Sequence, residues 1–119
     1  MRVKDAVGRF GEQLAAERLT ADGFEILERN WRCRDGEIDI VAVEDTTLVF
    51  VEVKTRSTVS HGTPAEAVVP AKAARLRRLA ARWLVEHPDR YWPLVRFDVV
   101  GVVRRTPTGP SVTHLRGAF

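Results

Sequence analysis

The 119-residue sequence predicts an α/β domain spanning residues 1–119, with elements in the order α-β-β-β-α-β-β around a mixed central sheet flanked by helices. Three observations predict it. Two segments carry apolar residues at three-or-four spacing, the signature of a helix with one buried face. Between them lie three short apolar segments separated by tight turn signals, as in an antiparallel meander. The second helical segment is long enough to carry the chain back across the sheet face before two further strands.

The first helix is expected from Asp5 to Asp22, with Val7, Phe10 and Leu14 on one stripe. Gly8, Gly11 and Ala15 lie near that stripe and would let a sheet approach closely, and Gly23 supplies the stop. Phe24 to Trp31 reads as strand one, with Phe24, Ile26 and Glu28 on one face. Asp35-Gly36 marks a turn. Glu37 to Val43 is strand two, Glu44–Thr47 a tight connection, and Leu48 to Thr55 strand three, rich in β-branched residues. Residues 56–64 form a polar loop. A helix follows from Pro70 to Glu86, with Leu76, Leu79, Ala80 and Trp83 as its core stripe, and His87-Pro88-Asp89 ends it. Val95 to Val103 and Val112 to Leu115 complete the sheet, the last as a short edge strand.

Composition narrows the class. Hydrophobic residues make up 45% of the chain, enough for a core and too many for a disordered segment. Apolar runs fall far short of the roughly 20 residues that span a bilayer. The opening Arg2, Lys4 and Asp5 lead into an amphipathic stretch rather than an apolar signal region. The single cysteine, Cys33, excludes an internal disulfide and fits a reducing, cytoplasmic setting; it reads as a plain small side chain. The net charge of +3 permits a nucleic-acid partner without demanding one.

Strand three breaks the ordinary rules of a buried strand. Val49, Val51 and Val53 take one face and Leu48, Phe50, Glu52 and Lys54 the other, so an acid and a base sit two residues apart in an apolar run. In strand two, Glu37, Asp39 and Val41 share a face. Pairing across the Glu44–Thr47 turn brings Asp39 near Glu52, about 5 Å apart at Cβ if directly opposed. Two carboxylates so placed repel, and a divalent cation resolves the conflict; clustered carboxylates are what Mg²⁺ or Mn²⁺ prefers. The competing explanation is an Asp39–Lys54 or Glu52–Lys54 ion pair with no chemistry. Three such residues on adjoining apolar strands favour the site.

The same residues carry a resemblance. An acid followed after about a dozen residues by Glu-x-Lys, here Glu37-Ile38-Asp39 and Glu52-Val53-Lys54, resembles the PD-(D/E)xK nuclease superfamily. Ile38 stands where that motif usually has proline. More closely, the chain resembles the YraN family of predicted bacterial endonucleases, similar to archaeal Holliday-junction resolvases. The matching stretches are Gly8–Glu12, Asn30–Arg32, Gly36–Asp39, Val49–Arg56, Gly62–Val68 and Arg96–Val100. The resemblance implies a restriction-endonuclease-like fold and Mg²⁺- or Mn²⁺-dependent hydrolysis of DNA phosphodiester bonds, in structured or branched DNA, by a possible homodimer. It implies Asp39 as principal metal ligand, Glu52 and the Val53 carbonyl as further ligands, Glu12 completing the shell from helix one, and Lys54 orienting or deprotonating the attacking water.

Other candidates are weighed individually. Glu37 is a further ligand or a neighbour of Arg34, and the neighbour is favoured. Arg56, Ser57 and His61 could contact phosphates from the loop, with Gly62 letting it move; His61 has no partner at zinc-ligand spacing. Lys72, Arg75, Arg78 and Arg82 suit a phosphate backbone or, equally, a solvated helix face. Trp31, Trp83 and Trp92 read as core or interface residues. Asp98 pairs with Arg96 or another base and receives no catalytic role. The alternative function is a non-catalytic nucleic-acid-binding or protein-interaction module that keeps a nuclease fold. It ranks second, because buried acids near a polyanion serve no purpose in a pure binding surface.

Overall fold

The computed structural model describes residues 3–58 and 70–119. Seven elements follow in the expected order: α1 (Val3–Ala21), β1 (Glu25–Cys33), β2 (Gly36–Glu44), β3 (Thr47–Thr58), α2 (Pro70–Glu86), β4 (Leu94–Arg105) and β5 (Ser111–Leu115). The strands form one sheet in the order β1-β2-β3-β4-β5. β1–β2, β2–β3 and β4–β5 are antiparallel, while β3 and β4 run parallel from Thr47↔Leu94 to Thr58↔Arg105. This is the mixed sheet of a restriction-endonuclease-like arrangement. Among the described residues, no helix is long and apolar enough to cross a membrane.

Each sheet face carries its own core. On one face, Ala15, Ala16 and Leu19 of α1 pack with Phe24 on Ile40, Ala42, Val49, Val51, Val100 and Val102. On the other, Leu76, Leu79, Ala80 and Trp83 of α2 pack on Ile38, Val41, Val43, Leu48 and Phe50. β3 is buried on both faces, as a central strand must be, and Leu48, Val49, Phe50 and Val51 have no exposed area. Each such side chain contributes roughly 1.5–3 kcal/mol through removal from water.

α1 lies close to the sheet because Gly11 has no side chain. A Cβ there would fall on the Thr55 hydroxyl and 2.8 Å from the Thr55 Cβ, whereas one on Gly8 would meet nothing within 4 Å. Gly23 ends the helix with φ 96°, in the left-handed region that glycine adopts without strain.

The simple alternation expected of β1 and β2 fails at two places. A register shift between Ile26 and Glu28 separates Glu28 from Phe24 and Ile26 and places it on the α2 face, where its Oε1 accepts the Trp83 Nε1–H at 3.0 Å. Ile38 packs on the α2 side with Val41, while Ile40 packs on the α1 side. The alternation therefore breaks at Asp39. Opposite it stands Asn30, bracketed by the pairs Arg29↔Ile40 and Trp31↔Ile38 and held at φ 55°. Asparagine is among the few non-glycine residues that tolerate this conformation. Trp31 and Trp83 are buried in the α2-side core and Trp92 packs against it, so the tryptophans are core residues and Trp31 is not displayed for base stacking. Cys33 is a partly buried filler of the same core.

Candidate active site

The site forms where β2 and β3 part. Their pairing runs from Glu44↔Thr47 to Ile40↔Val51. Beyond it, the Asp39 carboxylate takes the place of a backbone partner: Oδ2 accepts the Val53 N–H at 2.8 Å. The N–H and C=O of one strand residue project to the same side. The Val53 carbonyl, expected as a ligand, therefore also faces the fork. The broken alternation turns Asp39 toward α1, where it meets Glu12. One oxygen each from Glu12, Glu37 and Asp39 lie within 4.8 Å of one another.

These carboxylates are in electrostatic conflict. Burial and the neighbouring Glu52 charge, with smaller contributions from Glu12 and Glu37, push the Asp39 carboxyl up to about 8 against the Val53 hydrogen bond. Glu12 is also raised, by burial and by Glu37, with Asn30, Arg29 and Arg32 opposing. Asn30 contributes through its backbone, which breaks the β1 alternation opposite Asp39. Glu37, expected beside Arg34, pairs with Arg32. Its Oε2 accepts Arg32 Nε at 2.6 Å, and it belongs to the acidic trio.

Glu52 stands beside this trio rather than within it. Its Oε1 lies 2.7 Å from Lys72 Nζ and 3.4 Å from Lys54 Nζ, so two ammonium groups share one carboxylate oxygen. Lys54 is held below its ordinary value by burial and by the neighbouring Lys72 charge, with Glu52 opposing. Lys72 is raised, because its contact with Glu52 outweighs burial. The sequence placed Lys72 on a helix face that was either phosphate-binding or solvated; the structure places its ammonium against Glu52. A cleft of ≈ 660 Å³ opens beside these groups, lined by Gly8, Glu12, Val53, Lys54, Thr55 and Ser57.

The donor set fits a hard divalent cation. Three carboxylates converge, two of them with raised affinity for protons, and a backbone carbonyl faces the same fork. All of these donors are oxygen, which suits Mg²⁺ or Mn²⁺ and not the nitrogen–sulfur preference of zinc. Glu12, Asp39 and Glu37 are the residues placed to hold such an ion, with Glu52 next to Asp39.

The remaining candidates are dispersed. Ser57 lines the cleft, and its Oγ lies 3.5 Å from an Arg104 Nη. Arg56 follows Lys54 on β3 and is half-buried. Arg75, Arg78 and Arg82 are exposed on α2, and Arg82 joins Glu86 at 3.0 Å and Asp35 at 3.6 Å. His61, Gly62 and the Gly62–Val68 stretch lie outside the described residues. Asp98 is fully buried on β4, away from the trio. It accepts from Arg96 at 2.8 and 2.9 Å and from the Gly117 N–H at 3.0 Å, and lies 2.8 Å from His114 Nε2. These partners hold its carboxyl down to about 2 despite burial. Arg96 also reaches Glu44, which Arg116 shares, so this is a structural ion network near the β2–β3 turn.

Comparison with known proteins fixes the family. A family model described as "Uncharacterised protein family UPF0102" matches residues 11–102, a span that contains Glu12, Glu37, Asp39, Glu52, Lys54 and Lys72. A UPF0102 protein of Frankia casuarinae is 62% identical over 120 residues, covering 100% of both chains. One from Beutenbergia cavernae is 58% identical over 117 residues, covering 98% of each. One from Acidothermus cellulolyticus is 51% identical over 125 residues, covering 98% of this chain and 95% of the relative. Matched by the family model over most of its length and by these relatives from end to end, the chain belongs to the UPF0102 family.

Proposed function

We propose that the protein is a Mg²⁺- or Mn²⁺-dependent endonuclease that hydrolyses phosphodiester bonds, with structured or branched DNA as its substrate. The observation that carries this reading is the Glu12–Glu37–Asp39 convergence at the β2–β3 fork, beside Glu52 and Lys54. Protein folding gains nothing from collecting mutually repelling carboxylates in a half-buried site. A cation held there supplies a Lewis acid for a phosphate oxygen and lowers the pKa of water.

The chain's own groups divide the remaining work. Asp39, fixed by the Val53 N–H, holds the central position, and Glu12 and Glu37 complete a carboxylate pocket from two other directions. Lys54, depressed by burial and by Lys72, is suited to accept a proton from the attacking water or to neutralise the developing charge. Arg56, Ser57, Lys72, Arg75, Arg78 and Arg82 are proposed to contact phosphates, the α2 arginines by lying exposed along one helix flank. Resemblance to junction resolvases further suggests a cytoplasmic homodimer, which would cut the two strands of a four-way junction symmetrically.

The test is cleavage of an end-labelled four-way junction and its component duplexes, with and without Mg²⁺ or Mn²⁺. Cation-dependent nicking by the wild type is expected, with an Asp39→Ala variant slower by a factor of at least about 100, the scale of removing a positioned charge from a catalytic site. Equal cleavage by the variant sinks the assignment. Salt-sensitive DNA binding that needs no cation and leaves DNA intact would instead favour the non-catalytic binding module.

A further inference from the structure

Charges in the site are sorted in an unusual way. Three carboxylates gather at Asp39, yet both lysines stand on Glu52, the acid next door. The two lysines come from different elements and are exposed to the same extent, 26% each. Lys54 is two residues from Glu52 on the same strand, so its position follows from β3 itself. Lys72 reaches across from the first turn of α2, on a flexible four-carbon stem, with about a quarter of its side chain exposed. Its contact is nonetheless the shorter one, 2.7 Å against 3.4 Å. Lys72 therefore covers an oxygen of Glu52 that an incoming cation would otherwise use.

From this geometry we infer that Lys72 is a displaceable counter-ion, which occupies Glu52 in the cation-free protein and releases it when a DNA phosphate offers the ammonium a new partner. This rests on the cation-dependent reading above and deepens it. An ammonium and a divalent cation on neighbouring oxygens repel, so Lys72 weakens cation binding while DNA is absent. A phosphate in the cleft relieves the conflict, because the lysine then pairs with the polyanion and Glu52 is freed toward Asp39. Cation loading becomes coupled to substrate, and the coupling is reciprocal. The lysine held in reserve at Glu52 is thus a positioning residue and the first phosphate contact.

The competing role is a fixed strut that orients Glu52. The two make opposite predictions for cation affinity, with no turnover needed. Mn²⁺ is titrated calorimetrically into DNA-free wild type, Lys72→Met and Lys72→Arg, each checked for folding by circular dichroism. Lys72→Met keeps the stem and removes the charge, and it is expected to bind Mn²⁺ at least about tenfold tighter than the wild type. Lys72→Arg keeps the charge and is expected to stay within about threefold of wild type. With a non-cleavable phosphorothioate duplex present, the wild type is expected to gain Mn²⁺ affinity by a larger factor than Lys72→Met. Equal or weaker binding by Lys72→Met overturns the counter-ion role while leaving the cation site standing. Failure of both wild type and Lys72→Met to bind Mn²⁺, with or without DNA, overturns this inference and the cation-dependent reading together.

Discussion

Asp39 couples local backbone geometry to site chemistry. The break in alternation between Ile38 and Ile40 turns it toward α1, and the unpaired Val53 N–H holds it there. The cost appears as a carboxyl raised from 3.8 to about 8, by burial first and Glu52 second. For a carboxyl raised on folding, the folded protein binds the proton more tightly than the unfolded chain does. The resulting stabilisation is full below about pH 4 and is lost as pH rises through about 8. Asp39→Asn keeps an oxygen for the Val53 N–H and carries no charge. In the absence of divalent cations at pH 8 it should therefore be more stable than the wild type by at least about 1 kcal/mol, roughly 4 °C in melting temperature. The gap should close near pH 4, and Mn²⁺ should stabilise only the wild type. Thermal melts across pH would show this, and a variant less stable at pH 8 would contradict the electrostatic account. Asp39, Glu52 and Lys54 were legible in the sequence because charges two residues apart in an apolar strand are conspicuous. Asn30 was not, Glu37 was weighed as a ligand but the Arg34 neighbour was favoured, and Lys72 was read only as part of the helix face. Glu37 and Asn30 depend on the broken alternation, which no periodic rule contains, and Lys72 depends on where α2 docks. The one local hint was Asn30 itself, a residue type that tolerates positive φ.

At the scale of elements, α1 is the part whose placement is most demanding. It carries Glu12 to the fork, and it can do so only because Gly11 lets its backbone meet Thr55. Two glycines three residues apart should therefore respond in opposite directions. Gly11→Ala forces the helix away from β3 and should cost about 1–3 kcal/mol, the usual cost of overpacking, with a loss of cation affinity through Glu12. Gly8→Ala meets empty space and should stabilise the helix by about 0.5–1 kcal/mol. Chemical denaturation of both variants checks the pair, and two changes of the same sign would refute the close-approach argument. Element identities and order were legible because the apolar periods are clean and the turn residues stand where turns occur. What eluded the periodic reading was face assignment. The shift at Leu27 moved Glu28 to the side opposite Ile26, and it now anchors the Trp83 indole.

For the whole molecule, the governing feature is that one sheet is built from two kinds of connection. β1, β2 and β3 are joined by short turns, whereas β3 pairs in parallel with β4, Thr47 lying beside Leu94 with α2 in between. Sequence could give the mixed character, since a helix between strands permits a parallel return, but the separation of two cores by the sheet needs the register. That same feature sets an order of assembly. Closing a loop of more than 40 residues costs more entropy than closing a two-residue hairpin, so non-local pairing comes later. Pulse-labelled hydrogen exchange during refolding should show β2 and β3 amides protected before those of β4, and simultaneous protection of all three would argue against it. The acids of β2 and β3 would then be brought together while α2 is still undocked, and the crowded carboxylates would face solvent with no lysine from α2 beside them. The chain would thus pass through an early state richer in exposed negative charge than its finished form, completing its charge balance only when the last long loop closes.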